Sequence, residues 1–171
     1  MGELWSAIGA LSGAGAMTVT VAAWWTQHRR TLTADREATA RDAKAAQGRA
    51  ALVIASAPWT SSTTIDVHIT NGGSTAITDV EVIDVRRHPA LPGDSWRLAT
   101  ASGPNARTAC LLQPRESLAA KVELTDASGG PVSQAAAIGL VVIFRFLDAD
   151  GQWWRREMGR PPQRYEVQPV A

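Results

Sequence analysis

A stretch of 22 residues near the start of the chain, LWSAIGALSGAGAMTVTVAAWW from Leu4 to Trp25, contains no ionisable side chain. A helix of this length, at about 1.5 Å per residue, is about 33 Å long, and the hydrocarbon layer of a bilayer is roughly 30 Å thick. Trp5 lies at one end, and Trp24 with Trp25 at the other, where membrane proteins concentrate aromatic residues. The stretch predicts a transmembrane anchor over residues 1–25. Because Gly, Ala, Ser and Thr dilute its hydrophobicity, a buried helix in a soluble protein is the alternative.

The distribution of basic residues predicts the orientation of this anchor. No basic residue precedes the stretch, whereas five follow it within the next twenty residues: Arg29, Arg30, Arg36, Arg41 and Lys44. Loops rich in Lys and Arg stay on the cytoplasmic side of a membrane. We therefore expect a single-pass protein of the cell membrane, with its N-terminus outside and the rest of the chain in the cytoplasm.

The start of the chain offers two further interpretations. The opening MGE lacks the basic residues of a secretory signal peptide, so cleavage is not expected. Gly9 and Gly13 are spaced four residues apart, a spacing that lets helices approach closely in lipid. The lipid bilayer is thus an expected partner, and homo-oligomers through the transmembrane helix are a second option.

Residues 26–49, TQHRRTLTADREATARDAKAAQGR, favour a different kind of helix. Ala, Arg, Glu, Lys and Gln are helix formers, and no proline interrupts them. Apolar residues do not gather on one side, which is typical of a helix that projects into solvent. We predict a polar helical stalk that ends near Gly48.

After Gly48 the pattern changes to short alternating strands. TTIDVHITN places Thr63, Ile65, Val67 and Ile69 on one face, and NGGS supplies a turn. In AITDVEVIDVRR the apolar residues change phase, which predicts a β-bulge near Val82. SLAAKVEL alternates again, and IGLVVIFRFL is apolar on both faces, as expected of a central strand.

About seven short strands separated by Gly- and Pro-rich turns predict a mainly β fold, an antiparallel β-sandwich over residues 50–171. The segments VHITNGGSTAITDVEV, LLQPRESLAAKVEL and FRFLDADGQWWRRE resemble immunoglobulin-like domains of small, mostly uncharacterised bacterial membrane-anchored proteins. The resemblance covers roughly residues 50–168 and implies the fold and the membrane-anchored layout. It implies no catalytic residue.

The chain shows no motif typical of an enzyme. Its histidines lack metal-binding spacing, and DADG at 148–151 lacks the later ligands of a calcium loop. Cys110 lies among apolar neighbours, so we expect a buried thiol. A net charge of +1 argues against a specific nucleic-acid partner. We therefore predict no catalytic residue, no metal, no cofactor and no enzymatic activity.

The hairpin sequence around QWWRRE is the candidate interaction surface. Adjacent tryptophans on a strand point to opposite faces, so one of Trp153 and Trp154 enters the core while the other lies near the surface. Trp beside Arg is typical of protein-binding hot spots. The predicted surface consists of Trp153, Trp154, Arg145, Arg155 and Arg156. Arginines that merely cover an edge hairpin are the alternative.

Together these patterns predict a single-pass, non-enzymatic binding or scaffold protein that presents its β-sandwich to an unknown protein partner in the cytoplasm. Trp5, Trp24, Trp25, Arg29 and Arg30 would lie at the membrane interfaces. Two alternatives remain open at this point. The same fold could face the cell exterior as an envelope-associated module, or the chain could be a soluble enzyme whose first helix packs internally.

Overall fold

The computed structural model describes residues 3–100, 102 and 106–166, with side chains described for Trp24, Trp25 and from residue 27 onward. The chain divides into two compact units, Met1–Ala45 and Ala46–Ala171. One long helix, α1, runs from Glu3 to Ala50. All the strands described belong to the second unit.

In the first unit, α1 exposes nearly every side chain that the structure describes. Between Trp24 and Ala45 only Ala43 is half-buried, in keeping with the predicted polar stalk. Among the residues searched, those that the structure describes, no helix is long and apolar enough to cross a membrane. Most of the predicted anchor, including Trp5, Gly9 and Gly13, lies outside the described side chains.

The second unit contains nine strands within the described residues: β1 (Val53–Ser56), β2 (Thr64–Asn71), β3 (Ile77–His88), β4 (Ser95–Leu98), β5 (Thr108–Leu112), β6 (Ser117–Thr125), β7 (Gly139–Leu147), β8 (Trp153–Glu157) and β9 (Gln163–Arg164). A short 3-10 turn, Gln134–Ala136, precedes β7. The strands form a four-stranded sheet of order β1-β2-β6-β4 and a five-stranded sheet of order β5-β3-β7-β8-β9. Every strand pair is antiparallel. The predicted mainly β class is confirmed, with nine strands instead of about seven because β1, β4 and β9 are very short.

Alternation in the sequence corresponds to burial in the structure. Along β2 the side chains of Ile65, Val67 and Ile69 are buried, and the residues between them are half-buried. Along β6 the residues Leu118, Ala120, Val122 and Leu124 are buried, as predicted. Because one face of each strand supplies core residues, a slip of one residue in register would expose all of them.

The predicted bulge in β3 is confirmed. The register of β3 against β7 shifts between Thr78 and Glu81 and again between Val82 and Asp84. Asp79, at the first shift, has a positive φ of 49°. The two shifts allow Val80, Val82 and Val85 all to be buried although their spacing does not alternate strictly.

The buried residues of both sheets form one hydrophobic cluster, the arrangement of a sandwich. Its largest members are Phe144, Phe146 and Trp154, each at most 1% exposed. The last turn of α1 contributes Ala46 and Ala50 to the same cluster. Apolar residues of β7 are buried on both of its faces: Phe144 and Phe146 face the core, and Ile143 on the other face is 3% exposed.

The expectation for Cys110 is wrong. The thiol is exposed, although Leu112, two residues later, is buried. The register of β5 places Cys110 opposite Asp79, where the positive φ interrupts the pairing with β3. The strand therefore buries Leu112 but leaves Cys110 and Leu111 at the edge of the sheet.

Candidate functional site

The β7–β8 hairpin, which carries the predicted interaction surface, is held in register by the side chain of Asp148. Its Oδ1 accepts hydrogen bonds from the backbone N–H groups of Asp150 at 3.0 Å and Gln152 at 2.8 Å. Its Oδ2 accepts one from Nε1 of Trp154 at 2.7 Å. Gly151, with a φ of 76°, completes the turn in a conformation that suits glycine. The turn thereby determines which tryptophan faces inward.

Trp154 is the inward tryptophan. It is 1% exposed and belongs to the core cluster, and in the ladder it lies opposite Phe146. Its only polar atom is satisfied by Asp148. A partner protein cannot reach its ring, so Trp154 is a core residue in this structure.

Trp153 lies on the outer face of the five-stranded sheet and is half-buried. The guanidinium carbon of Arg145 lies 5.3 Å from the centre of its ring, within the range of a cation–π contact. Leu147 pairs with Trp153 across the two strands. The indole is therefore supported from one side and remains accessible from the other.

Arg156 faces the opposite way from Arg155. Its Nη1 donates a hydrogen bond to the carbonyl oxygen of Ala51 at 2.6 Å and another to that of Val53. Burial of the guanidinium lowers the pKa of Arg156 from its ordinary value. These bonds join β8 of one sheet to the start of β1 in the other. Arg156 therefore connects the two sheets, and its guanidinium is not available to a partner protein.

An ion-pair network covers the outer face of the five-stranded sheet. Nε of Arg145 donates to Oε2 of Glu81 at 2.9 Å, and Arg107 lies 3.2 Å from the other carboxylate oxygen. Further along the face, Glu157 lies 3.5 Å from Arg86 and 3.2 Å from Arg160. Each carboxylate thus serves two guanidinium groups.

Arg155 stands apart from this network. It is exposed, lies opposite Arg145 in the ladder, and forms no ion pair within the described part of the chain. We define the β8 patch as Trp153, Arg155, Arg145 and Leu147. This patch presents an accessible indole beside one uncompensated guanidinium, a combination suited to carboxylate or aromatic groups of a partner.

The four-stranded sheet presents a different outer face. Thr70 and Ser117 share a hydrogen bond of 2.7 Å between their hydroxyls, and Arg97 donates to Glu123 at 2.8 Å. Trp96 of β4, the tryptophan among the strands of this sheet, packs against the core and not on the outer face. Of the two outer faces, the one with the β8 patch therefore has the composition of a hot spot.

The residues predicted to lie at a membrane interface, as far as their side chains are described, lie on consecutive turns of α1. Trp24 is 62% exposed and Trp25 is 51% exposed. The imidazole of His28 stacks on Trp24 with ring centres 5.4 Å apart, and the guanidinium carbon of Arg29 lies 3.9 Å from the centre of the Trp25 ring. Arg30 is exposed beside them, and Trp5 lies outside the described side chains.

One polar cluster was not predicted from the sequence. Arg87 on β3 forms a two-pronged ion pair with Asp94 in the following loop, with both hydrogen bonds at 2.8 Å. Arg87 holds the pKa of Asp94 below its usual range, and hydrogen bonds from Ser128 and Gly130 do the same for the pKa of Asp126. The pairing spans a loop of irregular structure, so no periodic pattern marks it.

Among the residues that the structure describes, no cluster of three His, Cys, Asp or Glu side chains could hold a metal ion. No family model, no curated protein and no solved structure matches this chain.

Proposed function

We propose that this chain is a single-pass, membrane-anchored, non-enzymatic binding or scaffold protein that presents an immunoglobulin-like β-sandwich on the cytoplasmic side. The observation that carries the binding role is the β8 patch, where Trp153 is accessible and Arg155 has no acidic neighbour in ion-pair distance among the described residues. The unidentified partner is a protein whose contacting surface is acidic or aromatic.

Three features support this proposal. The strand orders β1-β2-β6-β4 and β5-β3-β7-β8-β9 contain the four-stranded and three-stranded arrangements of an immunoglobulin-like sandwich, with β5 and β9 as added edge strands. The uncharged stretch Leu4–Trp25 supplies the length of an anchor, and the basic residues that follow favour the cytoplasmic orientation. The ordered Arg and Glu network holds the side chains around Trp153 in place before a partner arrives, which lowers the entropy cost of binding.

The anchor and its orientation are tested with two C-terminal fusions of the full chain in a bacterial host. One carries a reporter that fluoresces only in the cytoplasm, and the other carries a phosphatase that is active only outside it. We expect fluorescence in the membrane fraction and no phosphatase activity. Phosphatase activity without fluorescence would show the opposite orientation. Fluorescence confined to the soluble fraction would contradict the proposed anchor.

The β8 patch is tested by crosslinking in membranes. A photo-reactive residue at position 163, an exposed position of β9 that pairs with Arg155, should give one dominant adduct, and the variant Trp153→Ala should abolish it. Lys121→Ala is the matched control, since Lys121 is an exposed cation on the outer face of the other sheet. Equal adduct yields from wild type, Trp153→Ala and Lys121→Ala would contradict a specific role for the patch.

A further inference from the structure

The surface of α1 around Trp25 and Arg29 places a guanidinium over an indole, as Arg145 and Trp153 do in the β8 patch, but Arg145 is paired with Glu81 whereas Arg29 has no ion pair among the described residues. We propose that Trp25, Arg29 and Arg30 form a binding site for the phosphate groups of anionic phospholipids. The inference rests on the proposed membrane anchor and adds to it a specific lipid class and the residues that select it.

The first argument is the exposure of two adjacent tryptophans. Trp24 and Trp25 leave 62% and 51% of their surface in contact with solvent, although both are large and apolar. Indole rings favour the interface between hydrocarbon and headgroups, where the ring is shielded and the N–H finds a polar acceptor. Their position at the end of the uncharged stretch places them at headgroup level if that stretch enters the bilayer.

The second argument is the way in which Arg29 is held. Its guanidinium carbon lies over the Trp25 ring, 3.9 Å from the ring centre, within the range of a cation–π contact. A guanidinium held over a ring in this way keeps N–H donors for a further ligand, because the ring accepts none of them as an ordinary hydrogen bond. Neither Arg29 nor Arg30 is joined to a carboxylate among the described residues. An oriented guanidinium with available donors is suited to grip a phosphate with two parallel hydrogen bonds.

The third argument is local charge. From Trp24 to Ala34 the helix carries Arg29 and Arg30 and no acidic residue. Asp35 follows this stretch directly, and Glu37, which lines the same groove as Trp25 and the two arginines, lies 3.4 Å from Arg41, which compensates it. Two positive charges that form no ion pair among the described residues favour lipids with a net negative charge over zwitterionic lipids, although both kinds contain phosphate.

Flotation of the full chain with two kinds of vesicle separates this inference from the proposed anchor. The vesicles consist either of phosphatidylcholine alone or of phosphatidylcholine with 30% phosphatidylglycerol, roughly the anionic content at which a basic patch binds measurably. Flotation with both kinds supports the anchor and leads to the selectivity measurement. Flotation with the anionic vesicles alone would support the headgroup site and contradict the proposed anchor. Flotation with neither kind of vesicle would contradict both the anchor and the headgroup site.

Selectivity is measured by electron paramagnetic resonance, comparing the motionally restricted fraction of spin-labelled phosphatidylglycerol with that of spin-labelled phosphatidylcholine around the reconstituted protein. We expect wild type to prefer phosphatidylglycerol roughly fivefold, the effect of one well-placed cation near a membrane surface. Arg29→Gln should remove most of this preference, and Arg29→Lys should retain part of it because the charge remains without the two-pronged donors.

Arg36→Gln is the matched control, since Arg36 is an exposed arginine of the same helix that has no aromatic contact among the described residues. It should keep nearly the full preference. Equal losses from Arg29→Gln and Arg36→Gln would show a diffuse charge effect and overturn the site. An absence of preference in wild type would overturn it as well.

Discussion

Trp154 and Arg156 lie on the inner face of β8, and Trp153 and Arg155 lie on its outer face. The polar groups of the inner pair form hydrogen bonds within the fold. The indole donates to Asp148, and the guanidinium donates to two carbonyl groups at the start of the opposite sheet. The outer pair leaves an indole accessible and a guanidinium without an ion pair among the described residues. Identical residue types one position apart therefore serve stability on one face and remain available for binding on the other.

A second doublet divides in the same way. Arg86 and Arg87 are consecutive on β3, yet Arg86 is 40% exposed and 3.5 Å from Glu157, whereas Arg87 is 11% exposed and joined to Asp94 by two hydrogen bonds. The strand alternation and the local partner, rather than the residue type, determine what each arginine contributes. The predictions below test this division from the largest effect to the smallest.

The largest difference is expected between the two tryptophans. Trp154→Ala removes a fully buried ring and leaves a cavity, so the free energy of unfolding should fall by about 3–5 kcal/mol. Trp153→Ala removes a half-buried ring and should cost about 1 kcal/mol. Urea unfolding of the full chain in a mild detergent, followed by circular dichroism, measures both. Similar losses of unfolding free energy in the two variants would contradict the distinction between an inner tryptophan of the core and an outer tryptophan of the surface.

The two arginines of β8 should differ less. Arg156→Ala leaves the carbonyl groups of Ala51 and Val53 without their donor and should lower the free energy of unfolding by about 1–3 kcal/mol. Arg155→Ala should change it by less than about 0.5 kcal/mol, as is usual for an exposed side chain. The same unfolding measurement applies. If Arg155→Ala is the more damaging change, the outer face contributes to the fold and is not reserved for a partner.

The Arg87 and Asp94 pair predicts a dependence on pH. Because the pKa of Asp94 is lower in the folded protein than in the unfolded chain, the pair stabilises the fold above the unfolded pKa, and that contribution is lost as the pH falls through the folded value. Asp94→Asn should therefore be less stable than wild type at pH 7, and the difference should shrink in strongly acidic solution.

Urea midpoints of wild type and Asp94→Asn, determined at pH 7, 5, 3 and 2, measure this effect. These pH values lie on both sides of about 4, the ordinary pKa of an aspartate. Arg155→Gln is the control, because it removes an exposed arginine that has no ion pair among the described residues, so its difference from wild type should change little over this range. A constant difference for Asp94→Asn would indicate a role for the side chain other than its ion pair.

The smallest effect is expected in the network around Glu81. Glu81→Gln weakens its contacts with Arg107 and Arg145, and because these groups are partly exposed the loss should stay under about 1 kcal/mol. The change should nevertheless raise the positive charge around Trp153 and strengthen crosslinking of an acidic partner at position 163. A loss of several kcal/mol on unfolding would show that the outer network supports the fold.

The parts of the fold that follow local periodicity could be predicted from the sequence. The alternation of Ile65, Val67 and Ile69 and the phase change near Val82 both depend on neighbours along the same strand. The exposure of Cys110 could not be predicted from the pattern of its own strand. Cys110 lies opposite Asp79 on the adjacent strand, where a positive φ interrupts the pairing.

The interaction surface was predictable only in part. The sequence requires Trp153 and Trp154 to face opposite sides, but the hydrogen bond from Trp154 to Asp148 is what shows which of them is buried. Arg156 meets carbonyl groups about one hundred residues earlier in the chain, a contact that no short motif encodes. Long-range partners such as these decide which residues of a basic and aromatic segment remain at the surface.

The last turn of α1 has a practical consequence for producing the sandwich by itself. Ala46 and Ala50 are 9% and 3% exposed within the second unit, so this turn is part of its hydrophobic cluster. A shortened chain that begins at Ala51 would lack this turn. The hydrophobic cluster would then expose apolar surface, which favours precipitation. Truncation a few residues before Ala46 would keep the turn, and nicking by a protease between Gln27 and Ala45 would leave the cluster intact.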